Sequence, residues 1–247
     1  MVLLNPLDGF SSTTGIISST QISGLPVDFV VTNPYSAESS LLAFVATEND
    51  GLHIIDYQEV DQPIKVSQLT INDSLTTIEF FTHTEHVAIG GKKGLHVVDV
   101  SNPFEAVLEA SHSFDDPIVA MVKLSELLVV ATKSSLMVIN PQTGSILAED
   151  STLTSISSIA VQGNNIYAVK NQNQLLSLKF VDFELSLQDS VSFPKATIRS
   201  KPAAKKVFVV NEVAYISNGL EIENVPKFRE SERGGFLTYN VADPKNL

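Results

Sequence analysis

Residues 94–108 read GLHVVDVSNPFEAVL: a glycine, a short apolar run, a corner built on Asp-x-Ser-Asn-Pro, and a second apolar run. Side chains alternate along an extended chain, so Leu95, Val97 and Asp99 take one face and His96, Val98 and Val100 the other. The run is about six residues long and rich in β-branched side chains, which selects strand over helix. Pro103 has no N–H to give to a ladder and biases Asn102 toward extended geometry, so Ser101, Asn102 and Pro103 close the strand in a turn. Residues 104–113 then return as its neighbour.

The same pattern recurs. Gly51 opens GLHIIDYQEVDQPIKVSQL, Ser135 opens SLMVINPQTGSILAED, Gln174 opens QLLSLKFVDFELSLQDSV and Gly235 opens GFLTYNVADPKNL. From Gly51 through Gly94 and Ser135 to Gln174 the openings lie 43, 41 and 39 residues apart. A period of ~40–45 residues holding four short strands predicts an all-β fold, a β-propeller of four-stranded antiparallel blades.

The blades divide as follows. Residues 1–24 read as a partial blade, with MVLLNPLDGF as strand and corner and GIISSTQIS as an outer strand. Complete blades follow at 25–72, 73–114, 115–154 and 155–194. Residues 195–247 form a last, partial blade, with strands at 206–210, 213–217 and 236–241 and an insertion at 218–233, NGLEIENVPKFRESER. A second alignment takes Gly219, Leu220, Glu221 and Ile222 as the third strand; it ranks lower because GFLTYNVADPKNL fits the pattern better. Both ends fall inside blades. The expectation is an incomplete ring, the chain being a single propeller domain or an excerpt of one. Closing five blades from the two ends leaves one strand in surplus.

Hydrophobic residues make up 43% of the 247 and charged residues 18%, a globular balance. No run of eighteen apolar residues is present, so no transmembrane segment is expected. MVLLNPLDGF lacks a basic n-region and a long apolar h-region, so no signal peptide is read in this chain. Cysteine is absent, which removes thiol catalysis, zinc–thiolate sites and disulfides. The net charge of −12 opposes phosphate backbones, so no nucleic-acid partner is expected.

GLHVVDVSNP and GFLTYNVADPKNL resemble the LVIVP repeat, found in bacterial and archaeal propeller proteins. GLHIIDYQEVDQP fits with a longer corner, whereas SLMVINPQTG and QLLSLKFVDF lack the turn glycine. The resemblance implies a propeller placed outside the cytoplasm: extracellular, periplasmic or at the cell surface. It implies no reaction, since the repeat marks a scaffold.

Several residues are of types that could carry chemistry. His53 and His96 occupy one repeat position, taken by Met137 and Leu176 in the next two blades, and read as structural. His83, Glu85 and His86 lie in the turn THTEHV without the helical His-Glu-x-x-His spacing of a metal site. Asp56, Asp99 and Asp243, with Asn140 in the third complete blade, stand before the corners, where such side chains accept backbone N–H bonds. Glu48, Asn49, Asp50 and Gly51 make too short a loop for calcium. There is no Ser/His/Asp arrangement with a nucleophile elbow, no glycine-rich phosphate loop and no glycosidase acid pair. The absence of Trp argues against sugar stacking. The expectation is no catalytic residue, no cofactor and no metal.

The insertion is the strongest candidate for function. It joins second and third strands, whose turns in a propeller share a face with the connections between blades. Glu48–Asp50, Lys92, Lys93, Asp115, Asp116, Lys133, Ser134 and residues 171–173 are expected on that face. The candidate interaction loop is Glu221, Glu223, Lys227, Phe228, Arg229, Glu230 and Arg233. The expected function is a non-enzymatic scaffold binding a protein or glycan partner through one face. The alternative is a propeller hydrolase or lyase with a central-channel site, for which Asp28, Glu79, Lys123 and Ser158 are the polar residues of the innermost strands.

Overall fold

The computed structural model describes residues 18–32, 41–193, 200–222 and 235–247. Among them the chain forms strands and turns, gathered in five antiparallel sheets. The first sheet runs β1 (Pro26–Val31), β2 (Leu42–Thr47), β3 (Gly51–Asp56), β4 (Ile64–Leu69), and the second β5 (Leu75–Phe81), β6 (His86–Gly91), β7 (Gly94–Asp99), β8 (Val107–Ser113). These two belong to one compact unit, Met1–Ile118. The other unit, Val119–Leu247, holds three sheets. They are β9 (Ala120–Leu124) to β12 (Ile146–Asp150), by way of β10 (Leu127–Ala131) and β11 (Leu136–Ile139); then β13 (Ile156–Gln162), β14 (Asn165–Lys170), β15 (Gln174–Val181), β16 (Glu184–Ser192); then β17 (Ser200–Val210), β18 (Val213–Ile222), β19 (Gly235–Asn240). Every strand pairs with its sequence neighbour, as consecutive hairpins require.

The two middle strands of each four-stranded sheet are covered on both faces, which is why they read as unbroken apolar runs. Every residue of GLHIID and GLHVVD before the final Asp is buried. In the first unit Phe44, Leu52 and Ile54 of the first sheet pack on Leu75, Ile78, Val87 and Ile89 of the second. In the second unit Val129, Leu136 and Val138 meet Ile159, Ile166 and Leu176. There too Tyr167, Val169 and Leu175 meet Val207, Ala214 and Ile216, and the buried Tyr167 hydroxyl donates to the Val241 carbonyl at 3.2 Å. The outer strands β4 and β8 hold no buried residue, as an outermost position predicts.

The repeated glycine has a steric cause. Gly51 and Gly94 have φ of +89° and +145°, and a Cβ there would stand 2.1 Å from the Leu69 carbonyl oxygen and 2.0 Å from that of His112. The outer strand therefore runs against the opening residue of the third strand, and only glycine admits it. The corners behave as read. Asp56, Asp99 and Asp243 accept the N–H of Gln58, Ser101 and Lys245 at 2.8, 2.9 and 3.0 Å. Asn140 takes the same role with Gln142 at 3.0 Å. The bonds from Ser101 hold the Asp99 carboxyl below the usual carboxylate range.

First strands carry a second regularity. Register shifts interrupt β1 between Pro26 and Asp28, β5 between Leu75 and Thr77, β13 between Ile156 and Ser158, and β17 between Ala204 and Lys206. A bulge leaves an amide outside the ladder. Asp28 Oδ2 accepts the Ile78 N–H at 3.2 Å and the Thr77 hydroxyl at 3.1 Å, and Ser158 Oγ accepts the Val207 N–H at 3.1 Å. A side chain on one first strand thus caps the amide just past the bulge of the next. Two of the four polar residues read on the innermost strands are engaged in this way.

Two expectations are corrected. Asn218 to Ile222, expected in the insertion, with Gly219 to Ile222 alternatively a third strand, continue β18 and pair with Ser200 to Ala204. The third strand is β19, opening at Gly235. Ser18 to Ile22, read as part of an outer strand, adopt no strand, and no ladder partner for them exists among the described residues.

Candidate functional site

The turns joining second to third strands are tied by backbone bonds to the connections between sheets. In the first unit Glu48 N–H donates to Leu25 O at 2.8 Å and Leu75 N–H to Glu48 O at 3.0 Å. Lys92 N–H donates to Ser74 O at 3.0 Å and Phe114 N–H to Lys93 O at 3.3 Å. In the second unit Ser155 N–H reaches Lys133 O at 3.4 Å, Phe193 N–H reaches Asn173 O at 2.8 Å and Ala204 N–H reaches Gln172 O at 3.0 Å. Within each unit these turns and connections form one edge of the sheets, the grouping read from the sequence.

On that edge the last sheet differs from the others. β19 begins at Gly235 opposite Asn218, yet β17 and β18 continue together for four more pairs, to Ser200 opposite Ile222. At about 3.3 Å per residue the two-stranded ribbon runs ~13 Å beyond the third strand. Glu221 of the candidate loop lies in this ribbon, opposite Lys201. Glu223, Lys227, Phe228, Arg229, Glu230 and Arg233 lie outside the described residues.

The second sheet holds a polar cluster that sequence reasoning missed. His96 Nε2 lies 2.9 Å from Asp73 Oδ2, and His96 Nδ1 lies 2.9 Å from Ser111 Oγ. The Asp73 side chain is fully buried. It also accepts the N–H of Ser74 at 2.7 Å and of Lys93 at 3.0 and 3.1 Å to its two oxygens. A carboxylate so placed accepts from Nε2–H, which leaves Nδ1 to receive the Ser111 hydroxyl proton. The cluster locks the connection before β5 to the β6–β7 turn and to the outer strand. Its signal was the register: Ser111 is the residue directly opposite His96 on β8.

His53 occupies the same repeat position in the first sheet, opposite Gln68, and is completely buried. Among the described residues neither of its ring nitrogens makes a hydrogen bond of ordinary geometry, although the Ser23 backbone lies close by. Burial, with Lys65 nearby, pushes its pKa below 6.5. One repeat position therefore carries a satisfied imidazole in one sheet and an orphaned one in its neighbour. At the β5–β6 turn His86 Nε2 meets Glu109 Oε2 of β8 at 2.6 Å, and Glu85 takes a φ of +53°. Glu48, Asn49 and Asp50 form the β2–β3 turn.

A family model described as the LVIVD repeat matches residues 86–112, the span of β6, β7 and most of β8. This is the repeat that the sequence resembles, under a description ending in Asp rather than Pro, and the matched span includes Asp99. No curated protein matches the chain. Solved structures do, at identities that speak for the fold alone. The N-terminal domain of Nup159 aligns with a TM-score of 0.57 at 15% identity, over 88% of this chain and 57% of that one. The computationally designed Ika8 protein aligns at 0.62 and 10%, over 83% and 59%. U3-55K aligns at 0.63 and 10%, over 86% and 67%. The chain thus spans less than two thirds of the Nup159 and Ika8 chains it matches. The fold class is the β-propeller.

Proposed function

Starting from a β-propeller chain that carries an LVIVD repeat, we propose a non-enzymatic scaffold that binds a protein or glycan partner through the turn edge of its last sheet. The observation that carries this is the β17–β18 ribbon, which runs four residue pairs beyond the third strand and bears Glu221. A strand-built stem holds a binding loop at lower entropic cost than a free loop of equal length. The proposal sets the scaffold at the cell surface, extracellular or periplasmic; its support is the repeat resemblance. The charge of −12 disfavours nucleic acid as the partner. Crosslinked partners are recovered with the wild-type chain and with a chain carrying alanine at 221–233. Loss of a specific partner with the sheets intact supports the proposal, and unchanged recovery removes it. Protease shaving of intact cells tests the compartment: release of this chain supports surface exposure, and full protection refutes it.

A second reading, a hydrolase, is favoured by one observation. Ser111 is exposed on β8, its hydroxyl faces His96, and His96 faces a buried carboxylate, which is the order of groups in an acyl-transfer relay. That site lies on an outer strand and not on the innermost strands. A fluorophosphonate probe decides it: adduct at Ser111, lost in His96→Gln, supports a hydrolase, and no adduct leaves the cluster a structural pin.

A further inference from the structure

The third and fourth sheets, both in the second unit, leave a groove of about 420 Å³ at the edge opposite the turns described above. It is bordered by the β9–β10, β13–β14 and β15–β16 hairpin ends. Leu124, Leu127, Phe180 and Val181 give it an apolar lining, and Glu126 and Asp182 add two exposed carboxylates.

The β15–β16 turn is built against its own comfort. Val181 pairs with Glu184, so Asp182 and Phe183 alone make the loop, with φ of +53° and +63°. Two central residues at positive φ define the type I′ turn, for which Asn-Gly is the low-energy choice. A phenylalanine in the second place strains the backbone. Burial does not compensate, since Phe183 is 67% exposed. Its ring meets Phe180 edge-on at 6.5 Å and so extends the apolar wall of the groove toward solvent. A strained, exposed aromatic beside an apolar groove points to a contact with something outside the chain.

Charge indicates what that is. Glu126 and Asp182 line the groove and Glu184 follows on the same turn. Lys123 and Lys179 adjoin Leu124 and Phe180 in sequence, so they alternate onto the opposite faces of their strands. The whole chain adds its −12, which draws cations toward the surface.

We propose that this groove binds an extended, cationic peptide segment of a partner protein. A bulky aliphatic side chain packs against Phe180 and Phe183, and flanking Lys or Arg residues meet Glu126 and Asp182. The site is separate from the ribbon, so either can fail without the other.

The test is fluorescence anisotropy on the full chain at low salt, with fluorescein-labelled Gly-Lys-Leu-Leu-Lys-Gly as probe. Gly-Glu-Leu-Leu-Glu-Gly and Gly-Lys-Ala-Ala-Lys-Gly serve as controls. The expected result is binding of the first peptide at least ~10-fold tighter than either control, weakening with salt. The double variant E126K/D182K, changed only at exposed turn positions, loses ~10-fold or more. Phe183→Gly keeps or raises the melting temperature while weakening the peptide ~5-fold or more. Equal binding of the acidic and basic peptides overturns the proposal. So does full retention of binding in E126K/D182K, or a drop in melting temperature with binding unchanged in Phe183→Gly.

Discussion

A methyl group placed on Gly94 would sit 2.0 Å from the carbonyl oxygen of His112. No side-chain adjustment relieves a clash with backbone, so Gly94→Ala is expected to cost more than ~2 kcal/mol in urea denaturation. Gly163, at φ +60° with open space around its would-be Cβ, is the internal control. Gly163→Ala carries only the left-handed strain of about 1 kcal/mol. The paired histidines separate burial from bonding. His96→Met strips a buried carboxylate of its imidazole partner and is expected to cost about 3 kcal/mol. His53→Met removes an orphaned polar ring, puts in the residue the third sheet already uses, and is expected to be neutral or stabilising. It also changes the pH profile. The folded pKa of His53 lies below its ordinary 6.5, so the unfolded chain binds the proton first as pH falls. That stability is complete above pH 6.5 and is lost as pH drops from there toward the folded pKa. Melting temperatures of wild type and His53→Met between pH 7.5 and 5 should therefore separate on the acid side, where the wild type loses stability that the variant keeps. The repeat showed that His53 and His96 share a position. It did not show that their fates differ, because Asp73 comes from the preceding connection, 23 residues earlier than His96.

Elements defined by a glycine opening and an Asx corner were legible, since each boundary has a local chemical cause. The ribbon was not. Pro202 and the lysines around it argue against a strand at the start of β17, and NGLEI has the look of a loop. Pairing between the two segments made both into strands, a non-local effect that neither sequence announces. The first-strand bulges belong to the same class, because a bulge is defined only against its partner. Their caps make a prediction. Asp28→Ala uncovers the Ile78 amide and should cost about 1–3 kcal/mol, whereas Asp28→Asn retains an acceptor oxygen and should recover part of the loss. Equal losses in both variants would show that the charge, and not the acceptor, matters.

In the molecule as a whole, the apolar surface left over is as informative as the core. Phe29 and Val31 on the first sheet are exposed, as are Phe208, Tyr215 and Phe236 on the last. Phe208 and Tyr215 are directly paired, so the last sheet carries an aromatic patch on the face away from Val207, Ala214 and Ile216. The isolated chain is expected to self-associate and to bind a hydrophobic dye. Replacing Phe208 and Phe236 by Lys should reduce both in sedimentation and fluorescence measurements; a monodisperse, dye-free monomer would contradict the expectation. The period of ~40 residues made the fold class readable at this scale, while the partner was not, since propeller scaffolds differ in their edges and loops rather than in their repeat. The bulge caps also bear on synthesis. Asp28 leaves the ribosome before Ile78, and Ser158 before Val207, so each cap is waiting when the amide it serves emerges. In these two sheet pairs the earlier sheet presents the cap that the later one needs, and a circular permutant that reverses that order is expected to fold more slowly while reaching the same sheets.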